Sequence, residues 1–457
     1  MALQKTKKLI RSYVPFYRRN LAIAIPVMLS QLGQAMVMLA DTMMVGRIGT
    51  NELAAVSFAN AVFLVGFVLA QGIAFGSTPV IGPNYATGNY RKAGLLFQHS
   101  IVVDATAAIA IGGGMYALSY FMDRMGQEEA VWKLAVPYYR TLVISLFPYL
   151  IFLAFKQFME GLGNTKYAMQ ITILTALLNI LLNWIFIFGK CGCPAMGVLG
   201  AGIATLISRC CMPILYLALF RKRPSIWRYF RFFGKRLNWK DVSRLSSIGL
   251  PIGLQMFIEC SCFSLSAIMA GWFGSTSLAS HEIAMNISSL TFMVVTGIAS
   301  GTTIRVSHQL GQQHYTDMRK AGIASMHLSI CYNLICALLM LTFRHQIPLA
   351  YTSDANVIGL SATLLIFAAL YQIADGLQSV TLGALRGMSD VHLPMVIATT
   401  GYVCINLPIS YLLGVKAHWG IYGIWTGFII GLYAVAGMAI IRYLTKTRQI
   451  IRGAAAN

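Results

Sequence analysis

The sequence predicts an all-α polytopic membrane protein, with twelve transmembrane helices in two pseudo-symmetric six-helix bundles around a central cleft. Composition, the spacing of apolar runs and an internal repeat predict it. Of the 457 residues, 57% are hydrophobic and 11% charged, with a mean hydropathy of +0.67, whereas a soluble domain carries about a quarter charged residues. A helix needs roughly 20 apolar residues to cross a bilayer. Runs of that length occupy 21–45, 53–80, 94–121, 131–155, 167–189, 196–220, 247–273, 279–303, 322–342, 358–382, 393–414 and 420–443. A transmembrane β-barrel would show alternating segments of about ten residues instead.

The two halves repeat each other. Residues 20–80 align without gaps on 245–305: Pro26 meets Pro251, Gly46 meets Gly271, Gly49 meets Gly274, Gly72 meets Gly297, Gly76 meets Gly301 and Thr78 meets Thr303. Further on, Arg91-Lys92-Ala93 answers Arg319-Lys320-Ala321, and Gly161–Met169 answers Gly387–Met395. Gly197 and Gly200 precede a helix as Gly420 and Gly423 do. The chain therefore divides into 1–222, a cytoplasmic segment with a six-helix N-lobe; 223–244, a basic cytoplasmic linker; and 245–457, a six-helix C-lobe with a cytoplasmic tail. Because six is even, the repeats share one orientation, which suits a transporter that rocks two bundles.

The net charge of +21 raises nucleic acid as a partner, but its distribution excludes it. Basic residues concentrate at the N-terminus (Lys5, Lys7, Lys8, Arg11, Arg18, Arg19), the central loop (Arg221, Lys222, Arg223, Arg228, Arg231, Lys235, Arg236, Lys240, Arg244) and the C-terminal tail (Arg442, Lys446, Arg448, Arg452). The positive-inside rule places all three in the cytoplasm. The central loop, with Trp227, Tyr229, Phe230, Phe232, Phe233 and Trp239, is expected to lie along anionic membrane lipids. No cleavable signal peptide is expected, since the run from Leu21 is too long for one.

Only fourteen residues are acidic, yet Asp41, Glu259 and Asp375 fall inside apolar runs. A charge near the bilayer centre is costly unless it faces a polar cavity or a partner, so each marks a candidate functional site. Glu259 aligns with Gln34, and Asp41 with Ser266; the two registers are seven residues apart, about two turns and nearly one face. That face is polar in both halves: Ser30, Gln34, Asp41 and Gln255, Glu259, Ser266. Asp375 stands beside Tyr371, Gln372 and Gln378, and its repeat mate is Tyr149. On the fifth helix Asn179 and Asn183, one turn apart, either supply amide oxygens to a cation beside Asp41 or hydrogen-bond between helices. Pro26 and Pro251, early in matching helices, each free a carbonyl and are hinge candidates. Asp104 has no recognisable mate and stays unassigned. The histidines are scattered, so no metal cluster is expected. No HExxH or GxSxG pattern points to an enzyme.

The segment LADTMMVGRIGTNELAAV (Leu39–Val56) with its repeat mate, the early prolines and YQIADGLQ (Tyr371–Gln378) resemble the multidrug and toxic compound extrusion (MATE) transporters, in their bacterial NorM branch. The resemblance covers residues 20–445. It implies a V-shaped pair of six-helix lobes in the bacterial inner membrane, exporting small cationic amphipathic drugs in antiport with Na+ or H+. It assigns cation coupling, including any transported Na+, to Glu259 and Asp375. Substrate or cation binding falls to Asp41, Asn179 and Asn183, with Gln34 on the same stripe. Glu282 departs from the Gln expected in this branch; the extra acid either strengthens cation preference or sits in outer solvent. Phe292 stands where some relatives have a Tyr hydroxyl. No cofactor is expected, and the working unit is expected to be a monomer. The alternative is a lipid-linked precursor flippase of the same wider superfamily, which would need a basic cleft where this stripe is acidic.

Overall fold

The computed structural model describes residues 2–234 and 237–456, with side chains at 12–230, 233–234 and 237–455. Lys235 and Arg236, and the side chains of Lys5, Lys7, Lys8, Arg11, Arg231 and Phe232, lie outside the described residues.

Among the described residues the chain is helical, with no strand. Twelve helices are long and apolar enough to span a membrane: α1 (Ser12–Gly46), α2 (Thr50–Ala86), α3 (Tyr90–Arg124), α4 (Glu129–Gly161), α5 (Lys166–Phe188), α6 (Gly197–Lys222), α7 (Trp239–Gly271), α8 (Ser275–Gly311), α9 (Tyr315–Thr342), α10 (Ala355–Gly387), α11 (His392–Lys416) and α12 (Ile421–Ala455). Most outrun the apolar stretches that announced them, because helical hydrogen bonding continues into polar ends where side chains reach water. Three are irregular. In α2 the helix breaks at Phe75–Ser77 and restarts at Thr78 with Pro79 in its first turn. The end of α3 tightens into a 3-10 turn at Ser119–Arg124. In α11 the helix widens into π-turns at Thr400–Asn406 and Leu412–Lys416, on either side of Pro408, which has no N–H to donate.

The chain folds into two compact units whose boundaries differ from those of the repeat. Leu29–Phe257 forms one, here the N-unit; Met1–Met28 with Ile258–Asn457 forms the other, the C-unit. Each unit thus takes the opening half of its first helix from the other end of the repeat. The paired glycines explain how. In the N-unit α2 passes so close to the early part of α7 that a Cβ on Gly76 would come within 2.6 Å of Gly249 Cα, and Gly72 meets Gly253 in the same way. In the C-unit their mates Gly301 and Gly297 pack against Ala24 and Met28 of α1. At Gly72, Gly76 and Gly297 a Cβ would clash, so glycine is what allows the close crossing there. Lys92 of the Arg-Lys-Ala motif fastens the exchanged segment in the N-unit through an ion pair with Asp241 at 2.7 Å. In the C-unit Arg442 of α12 holds Asp390 at 2.8 Å.

In the central loop three aromatic residues turn inward against the N-unit, which the sequence reading did not foresee, while Trp227 and Trp239 stay exposed: Phe230 packs on Phe97 and Phe220, Phe233 on Phe97, and Tyr229 on Phe158 with 1% of its surface exposed. Aromatic rings gain more by burying on a preformed aromatic cluster than by remaining at an interface. Arg221, Lys222, Arg223 and Arg228 stay exposed.

Candidate functional site

In the C-unit the two acids predicted to couple a cation come together on α7 and α10. Glu259 is half-buried and Asp375 buried. Tyr402, presented by the first π-turn of α11, donates its hydroxyl to Glu259 Oε1 at 2.8 Å. Gln378, one turn beyond Asp375, donates its amide to the same oxygen at 3.3 Å and to Tyr402 Oη at 2.5 Å. Tyr371, one turn before Asp375, reaches Oδ2 at 3.5 Å. Among the described residues, Asp375 Oδ1 and Gln378 Oε1 are buried acceptors without partners. Arg386, half-buried on α10, acts electrostatically on Glu259. The floor is aromatic: Phe263, Trp425 and Phe428 lie with ring centroids 5.9–6.3 Å from Tyr371. Two acids, two phenols and an amide thus gather several oxygen atoms over an aromatic floor.

The N-unit arranges its polar residues differently. Asn183 donates to Asp41 and to Asn179 Oδ1, the latter at 3.0 Å, and Asn179 donates to Thr205 at 3.4 Å. The two asparagines therefore form a hydrogen-bonded chain that ties α5 to α1 and α6, leaving Asn183 Oδ1 as a buried acceptor without a partner among the described residues. Gln34, half-buried, has its amide nitrogen unpartnered on the same terms. Nearby stands a residue that the sequence reading passed over, Arg209 of α6. Its Nη1 donates to Ser145 at 2.8 Å, its guanidinium lies over Phe63, Phe67 and Tyr149, and its charge acts on Asp41.

Other predicted residues fall outside these clusters. Glu282 is exposed, with no hydrogen bond or ion pair among the described residues. Pro26 and Pro251 lie within unbroken helices, each shortly before the chain passes between compact units. Asp104 is fully buried on α3, both carboxylate oxygens unpartnered among the described residues. Among the described residues no group of three or more His, Cys, Asp and Glu side chains is arranged to hold a metal ion.

Against known proteins, the family model MatE matches residues 26–185 and 251–412, one block in each half of the repeat. The multidrug resistance protein NorM of Vibrio cholerae is 34% identical over 427 residues, covering 91% of this chain and 92% of its own. The protein of that name from Photobacterium profundum is 33% identical over 432 residues, covering 93% and 94%. Among solved structures, the bent form of the Vibrio cholerae MATE transporter VcmN matches with a TM-score of 0.87 at 19% identity, over 96% of this chain and 99% of its own. At that identity the likeness is one of fold.

Proposed function

This chain belongs to the MatE family and is a multi-pass membrane transporter for multidrug efflux, not an enzyme; we propose that it is a secondary antiporter, exporting cationic amphipathic compounds in exchange for Na+ or H+. The observation that carries this reading is the C-unit cluster, in which Glu259 of α7 and Asp375 of α10 come together around Tyr371, Gln378 and Tyr402, with the Arg386 charge acting on Glu259. With both acids ionised, such a cluster carries negative charge that a cation from either side would neutralise. Tyr371, Tyr402 and the free oxygens of Asp375 and Gln378 supply the neutral ligands that a dehydrated Na+ needs; a proton needs only a carboxylate. Asp41 is the proposed partner of the organic cation. Coupling follows if each cation favours a different conformation, since a ligand shifts an equilibrium only by its differential affinity. On this proposal the protein works as a monomer in the bacterial inner membrane with both termini cytoplasmic, and Pro26 and Pro251 are its bending points.

The test is purified protein in liposomes loaded with ethidium. Efflux is compared under an imposed Na+ gradient and an imposed pH gradient. Acceleration by one gradient identifies the ion; efflux indifferent to both would rule out an antiporter.

A further inference from the structure

The C-unit cation pocket has a counterpart in the N-unit, and a side chain of the protein fills it. The repeat sets Gln34 against Glu259, Ser145 against Tyr371 and Tyr149 against Asp375. The N-unit thus replaces both acids with neutral groups on the same two helices of the bundle. Arg209 is anchored on those replacements. Its Nη1 bonds the Ser145 hydroxyl at 2.8 Å, and its guanidinium carbon lies 5.0 Å from the centre of the Tyr149 ring. Phe63 and Phe67 complete a cage at 5.5 and 5.4 Å. In the C-unit the position answering Arg209 is Leu432, fully buried in the apolar core.

An arginine cannot give up its proton under physiological conditions, so this cage holds a permanent positive charge. Its chemistry, three aromatic faces and a hydroxyl, is also that by which proteins recognise organic cations. Arg209 is moreover within electrostatic reach of Asp41, the carboxylate proposed to meet the substrate.

We propose that Arg209 is a tethered cation occupying the N-unit counterpart of the coupling-ion pocket, and that it sets charge selectivity by competing with organic cations for Asp41. The proposal rests on the reading that substrates are cationic. It gives Arg209 a specificity-determining role: neutral compounds do not meet the competition, and monocations bind only as well as they can outbid the guanidinium.

The test uses the full-length protein in nanodiscs, with ethidium as the monocation and Nile red as the neutral probe, binding read by fluorescence polarisation. Arg209→Gln is expected to tighten ethidium about tenfold, because a like charge near the carboxylate is gone. Nile red should change by less than about twofold. Arg209→Lys, which keeps the charge, should bind ethidium as the wild type does. In Asp41→Asn/Arg209→Gln the gain should vanish. Arg209→Met, which keeps an apolar stem among the rings, should reproduce the split and serves in place of Arg209→Gln if the latter does not insert. Ethidium binding indifferent to the loss of Arg209, equal shifts for both probes, or Arg209→Lys behaving as Arg209→Gln each overturn the proposal. A wild type that binds Nile red but not ethidium overturns the cationic-substrate reading, and this proposal with it.

Discussion

The two units carry the same fold and different electrostatic arrangements. In the N-unit the Arg209 charge acts on Asp41 from a cage of its own, and two asparagines extend the Asp41 network. The C-unit gathers two acids, Glu259 and Asp375, with Arg386 acting on Glu259, and fills the asparagine positions with Ile405 and Ile409. The difference teaches that duplication supplied the frame and substitution divided the labour. On the proposed reading, the C-unit cluster takes the small coupling cation and the N-unit cluster discriminates among charged substrates.

Removing either C-unit acid is expected to have the largest effect. Glu259→Gln or Asp375→Asn should abolish gradient-driven ethidium efflux in liposomes while the protein still inserts, since losing one member of a buried charged set costs about 2–5 kcal/mol. Near-normal efflux in either variant would remove the distinction between the units. Asp41→Asn should follow, weakening ethidium export about tenfold and neutral substrates far less, because a carboxylate at low dielectric attracts a cation strongly. Proportional losses for both substrate types would make Asp41 structural. Pro26→Ala and Pro251→Ala are expected to slow efflux a few-fold without altering ethidium affinity, by restoring the hydrogen bond that each proline forgoes. A change in affinity with an unchanged rate would place the prolines in recognition. Tyr402→Phe, the mildest, removes one donor to Glu259 and should shift the half-saturating ion concentration about fivefold, in keeping with about 1 kcal/mol for one hydrogen bond. No shift would mean that Tyr402 serves packing alone.

Much of this was legible in the sequence, for physical reasons. Spanning helices declare themselves because, closed barrels apart, a bilayer tolerates no other spanning structure. Acids at their centres stand out for the same reason, which is how Asp41, Glu259 and Asp375 were found. Arg209 carried an equal signal, an ion within an apolar run, but a long basic side chain also snorkels, and only its cage of rings shows that it does not point away. Tyr402 is one of 21 tyrosines, set apart only by a π-turn that periodicity does not reveal. Of the two asparagine readings, the structure displays the interhelical hydrogen bonds, with Asn183 donating to Asp41, and leaves Asn183 Oδ1 as an acceptor without a partner among the described residues. The exchange of helix halves was illegible, because matching glycines in both repeats fit either arrangement equally well.

That exchange bears on how the protein is made. Gly72 and Gly76 of α2 leave the ribosome long before Gly249 and Gly253, which cover them. Through the synthesis of α3 to α6, the N-unit therefore lacks the segment that closes it, however completely its helices have inserted. A chain ending at residue 222 would carry every residue of the Asp41 network and still leave Gly72 and Gly76 uncovered. The duplicated halves, alike as they are, cannot mature one after the other; the last step of building the first unit waits for the beginning of the second.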